Sequence, residues 1–115
     1  MSYVNCEKLI KISLPAVRIA VASGLHEKYG KGQEEIADRL GITQASVSKY
    51  FNGRYSRDIA KLAEAIKATR VIMELERESA DEDDYSSIKD SINRMATEKP
   101  IIRIARRLFG NSAFE

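Results

Sequence analysis

Gln33-Glu34-Glu35-Ile36-Ala37-Asp38-Arg39-Leu40-Gly41-Ile42-Thr43-Gln44-Ala45-Ser46-Val47-Ser48-Lys49-Tyr50-Phe51-Asn52 is the stretch whose reading decides the fold. It reads as two short helices, 33–40 and 44–51, joined by a tight corner. Two helices meeting at a steep angle must present apolar inner faces to each other. Ile36 and Leu40 supply one face, Val47 and Tyr50 the other, and Ile42 plugs the corner. The point of closest approach needs a small side chain, and Ala37 stands there. The turn needs a residue tolerant of positive φ, which Gly41 provides. Thr43 is a good N-cap for the second helix. One glycine turn alone would carry little weight. Here every constrained position holds a fitting residue.

The outward face of the second helix carries Gln44, Ala45, Ser46, Ser48 and Lys49, all small or polar. Such a face suits the major groove of DNA, where base edges present donors and acceptors at close range. The Gln44 amide can donate to adenine N7 and accept from its N6 amine. Ala45 leaves room for backbone approach or touches a thymine methyl. Ser46 and Ser48 can reach phosphate or base. Lys49, Asn52, Arg54, Tyr55 and Arg57 fall on or just beyond the helix end, where phosphate contacts would set register. Gln33 opens the preceding helix, whose free N–H groups form a phosphate seat.

Moving outward, the rest of the 115 residues reads as helix almost throughout, with no strand pattern or repeat, so the class is all-α. Ser13 is expected to cap a first helix with Pro15 in its opening turn, ended by Gly30. Its apolar residues Leu14, Val17, Val21 and Leu25 share one face. A fourth helix is expected from Ser56, with Ile59, Leu62 and Ile66 inward, continuing less regularly to Leu75. The acidic run from Glu74 to Asp84 reads as a solvated helix end and linker. Two short helices follow, over 86–96 and 100–108. The expected division is a DNA-binding domain at 1–77 and a linker with a helical extension for dimerisation at 78–115. Ile88, Ile92, Met95, Ile101, Ile102, Ile104, Ala105, Leu108 and Phe109 are the expected interface.

The net charge of +2 hides an asymmetry: residues 1–57 carry a net +4 and residues 58–115 a net −2. The basic front half is the half that would meet a polyanion. One Cys (Cys6) and one His (His26) rule out an intrachain disulfide, a multi-cysteine zinc site and a histidine dyad. Glu34, Glu35 and Asp38 sit on an exposed helix, and no nucleophile elbow or phosphate-binding loop occurs. No catalytic residue, metal or cofactor is expected, and the chain is not read as an enzyme. No segment reads as the roughly 20 apolar residues of a membrane span, because Lys11, Pro15 and Arg18 interrupt the most apolar run. A reducing cytoplasm is the expected location.

The central segment resembles the helix-turn-helix of the Cro/C1-type, lambda repressor-like DNA-binding family. Gln33-Glu34, Ala37-Asp38, Gly41, Gln44, Val47 and Phe51-Asn52-Gly53 carry the likeness, in order. It spans about residues 12–75 and implies a five-helix domain. Cys6-Glu7 and Leu14-Pro15-Ala16 with Arg18 are also similar to the start of small archaeal regulators of this type. The resemblance implies that Gln44 reads an adenine, that Gln33 contacts phosphate and steadies Gln44, and that Asn52 contacts the backbone. The expected function is a sequence-specific, dimeric transcription regulator acting as a repressor on double-stranded DNA, with no membrane partner and no small-molecule effector. The competing reading is a protein-interaction or antitoxin-like module on the same scaffold, with little DNA affinity of its own.

Overall fold

Helix α1 (Cys6–Glu27) begins well before the Ser13 start that the sequence suggests. In the computed structural model, which describes residues 4–115, the Asn5 side chain caps it by accepting the N–H groups of Glu7 and Lys8. Pro15 lies inside the helix and Ser13 is wholly buried, its hydroxyl without a hydrogen-bond partner. Asn5 two residues before an acid was the available signal. The helix thus runs through Lys11, Pro15 and Arg18. At 22 residues it is long and apolar enough to cross a bilayer by length and composition, contrary to the interrupted-run reading. More than half of its most apolar stretch is buried by the rest of the chain, as befits a core helix.

Six further helices follow among the described residues: α2 (Gln33–Leu40), α3 (Gln44–Phe51), α4 (Arg57–Ile66), α5 (Arg70–Asp81), α6 (Tyr85–Met95) and α7 (Lys99–Phe109). A 3₁₀ turn, Asn111–Phe114, closes the chain. The expected fourth helix is two helices. Thr69 separates them, donating its hydroxyl to the Ile66 carbonyl at 2.6 Å and accepting from the Ile72 N–H. The acidic run is mostly helix too, since α5 continues to Asp81.

The architecture is a bundle wrapped on α1, which packs against α4 and α5 and touches every other helix. Leu9, Val17, Val21 and Leu25 of α1 are fully buried, together with Ile36, Leu40, Val47, Leu62, Ile66 and Ile72. Each such side chain contributes about 1.5–3 kcal/mol through burial. Helix α6 lies on α2 and α5, and α7 on α4. Ile88, Ile92, Ile101 and Ala105 therefore enter the same core as the central helices. The division at residue 77 falls within α5.

Among the described residues two charged side chains are buried. Arg39 on α2 is 8% exposed and Glu76 on α5 is 2% exposed. Arg39 donates to Glu35, to the Ser79 carbonyl (2.9 Å) and to the Glu82 carbonyl (2.8 Å), and its guanidinium covers the Tyr85 ring. It ties the first helix of the corner to the α5–α6 junction. Glu76 accepts from Lys28 at 2.7 Å and its carboxylate lies against Gly24 of α1. The acidic run is thus not wholly solvated.

Acid sensitivity follows from the same junction. Hydrogen bonds from Arg39 and Lys31 hold the Glu35 carboxyl below its ordinary pKa, and those from Ser86 and Ser87 do so for Asp84, the cap of α6. A depressed folded-state pKa contributes stability above the unfolded value, and that contribution is lost as pH falls through the folded value. Urea midpoints measured from neutral pH downward should fall below the ordinary carboxylate range. Glu35→Gln with Asp84→Asn should flatten the slope there; an unchanged slope would deny these contacts any part in stability.

Candidate nucleic-acid interface

The corner between α2 and α3 is built as its residues dictate. Gly41 takes φ 67° and ψ 36°, the left-handed conformation. Its N–H donates to the Asp38 carbonyl and the Ile42 N–H to that of Ala37, closing α2 with two nested bonds. Ile42 is half-buried over the core. Thr43 then caps α3 by accepting the Ser46 N–H at 3.1 Å. Ile36, Ala37, Leu40 and Val47 are all buried between the helices, and Tyr50 is half-buried.

That inward anchoring decides what faces out. Val47 is fully buried, and the side of α3 roughly opposite it, at Ala45 and Lys49, is in solvent. Gln44, Ala45 and Lys49 are exposed, as are Gln33 and Thr43; Ser46 and Ser48 are partly covered. The stretch 33–52 is two rods broken at 41–43, and Gln44 is exposed at the start of the second.

The local bonding refines several roles. The Thr43 and Ser46 hydroxyls pair at 2.9 Å, so both are partly committed to the cap, each keeping one or more free hydrogen-bonding positions. The Asn52 amide reaches the Ser48 hydroxyl at 3.4 Å, a long bond that a better acceptor could replace. The stop after α3 is made by Gly53, at φ 68°, whereas Asn52 keeps φ −92°. Only a residue without Cβ takes that angle freely, so Gly53 rather than Asn52 carries the turn. The Arg54 N–H returns to the Lys49 carbonyl, which holds Arg54 beside the end of α3.

Tyr55 is half-buried and packed on the core, leaving only part of its ring and hydroxyl in reach. Phe51 is likewise half-buried, against His26 of α1 at 5.1 Å between ring centres. The His26 Nδ1 meets the Lys31 carbonyl at 3.0 Å, fixing the loop into α2. This contact between α1 and α3 left no trace in the sequence, because nothing in either segment names the other.

Electrostatically the surface is open. Among the described residues the ion pairs are Lys28–Glu76, Lys31–Glu35, Arg39–Glu35 and Lys67–Glu64. Lys49, Arg54 and Arg57 take part in none of them and all three are exposed. Gly32, the N-cap of α2, makes no side-chain capping bond, so the first N–H groups of α2 are left without a side-chain cap.

Residues 27–71 match the helix-turn-helix family model, from the last turn of α1 into the start of α5. That segment is a helix-turn-helix of the Cro/C1 type, a DNA-binding regulatory domain. No curated protein and no solved structure matches the chain.

Proposed function

We propose that this chain, a Cro/C1-type helix-turn-helix protein over residues 27–71, is a sequence-specific transcriptional regulator acting as a dimeric repressor in the cytoplasm. Helix α3 enters the major groove and α2 crosses the backbone. The observation that carries this reading is Gln44, exposed at the start of α3, one turn before Val47, which is sealed in the core. Gln44 reads an adenine, and Ala45, Ser46 and Ser48 line the base edges beside it. Thr43 sets the start of the helix and offers its remaining hydroxyl valence. Gln33 and the α2 N-terminus seat one phosphate, while Lys49, Asn52, Arg54, Tyr55 and Arg57 seat those at the other end.

Dimerisation is inferred because one two-turn helix reads too few base pairs to find a genomic site. Two half-sites about 34 Å apart supply the rest. Residues 1–77 make the DNA contacts in this reading, and 78–115 the dimer contact. Leu108, 41% exposed, and the half-buried Met95, Ile102, Ile104 and Phe109 are among the apolar side chains there that the chain's own core leaves partly uncovered.

Selection of bound duplexes from a random pool is expected to return a palindrome. On that duplex Gln44→Ala should weaken specific binding by about 1–3 kcal/mol while leaving random-sequence affinity almost unchanged. If the ratio of specific to non-specific affinity stayed the same, Gln44 would not be the reading residue. A protein-interaction module would bind duplex DNA weakly at every salt concentration.

A further inference from the structure

Helix α7 lies outside the helix-turn-helix, yet it is the most strongly sided helix of the chain. Lys99, Arg103 and Arg107 recur at every fourth residue, so they share one face. All three are exposed, while Ile101 and Ala105 on the other side are fully buried. None of the three joins an ion pair among the described residues, and the helix itself contains no acid. Arg106, next to the row, is partly covered, and its Nε and Nη2 meet no acceptor. Cations at the C-terminal end of a helix complement its dipole, which accounts for Arg107. Lys99 stands at the unfavourable end, so the dipole does not account for the row.

We propose that this row is a second phosphate-binding surface, engaging the backbone of duplex DNA that flanks the site read by α3. The inference rests on the DNA-binding reading above and extends it. Charge complementarity names the occupant: three cations spread over about 12 Å of helix face a polymer with one phosphate per ~3.4 Å of axis on each strand. Helix α7 also packs on α4, the helix that Arg57 opens. A basic amphipathic helix can instead lie on an anionic membrane by inserting its apolar side. Here Ile101 and Ala105 of that side are spent on the core, and its partly uncovered remainder is assigned above to the dimer contact, which leaves the cations without an insertion face.

The test is the salt dependence of binding to a random-sequence duplex roughly four helical turns long. Each phosphate contact adds about 0.9 to the slope of log K against log salt. The triple variant Lys99→Gln, Arg103→Gln, Arg107→Gln should flatten that slope by about 2–3 per chain bound. A charge-matched variant, Arg70→Gln, Arg77→Gln, Arg94→Gln, removes three exposed cations from α5 and α6 and should leave the slope near the wild-type value. All six positions are exposed, and both variants should keep the wild-type helical signal in circular dichroism. Equal slopes for the two variants overturn the proposal. So does loss of phosphatidylserine-vesicle binding in the α7 variant with an unchanged DNA slope. Wild-type protein that binds no duplex at any salt overturns the DNA-binding reading itself, which keeps the two failures distinct.

Discussion

Arg39→Ala should lower stability by about 2–4 kcal/mol, a large fraction of the 5–15 kcal/mol that holds a domain of this size. The loss is not chiefly the exposed half of the Glu35 pair, which water screens. It comes from the Ser79 carbonyl, whose buried bond to Nη1 has no replacement donor, and from the stem and guanidinium packed on Tyr85. Thermal unfolding should shift down by on the order of 10 °C. Arg39→Lys keeps the charge but cannot donate to Glu35, Ser79 and Glu82 together, so it should recover less than half of the loss. A lysine variant as stable as wild type would show that the cation, not the forked donor, holds α2 to the α5–α6 junction.

Gly24→Ala should change sign with its background. A Cβ at Gly24 would stand 2.5 and 2.6 Å from the two oxygens of the Glu76 carboxylate, well inside contact distance. Glu76 is 2% exposed and held by Lys28, so the added methyl must push it out of its seat. Overpacking of this kind costs about 1–3 kcal/mol. When Glu76→Ala empties the seat, the same Gly24→Ala substitution should stabilise by up to about 1 kcal/mol, the helix-propensity gain over glycine. A double-mutant cycle by urea denaturation reads the coupling directly. Additive values would mean that the carboxylate swings aside freely and that Gly24 is not needed for the approach of α5.

The helix-turn-helix was legible because its constraints are local. Ala37, Gly41, Thr43 and Val47 each answer a demand set by residues within one or two turns, and the structure places all four accordingly. The same locality made the outward face readable: once Val47 is inward, the 100° step per residue turns Ala45 and Lys49 out, and Gln44 is exposed at the very start of the helix. The start of α1 was missed because Pro15 competes with Asn5 as an N-terminal signal, and tertiary burial of Leu9 favours the longer helix. Thr69 was missed because the apolar period runs on past it with little break.

By itself, then, the amino-acid order determined the all-helical class, the bent pair at 33–51 and the polar face of α3, all consequences of spacing within single helices. Only tertiary structure decided what distant segments do to each other. It turned Glu76 and Arg39 from surface charges into buried fasteners, drew Ile88 and Ile101 into the central core, and left the cations of α7 without partners. The reason is physical. Burial and charge pairing depend on which elements meet across tens of residues, and no periodicity within one helix encodes the partner it will find.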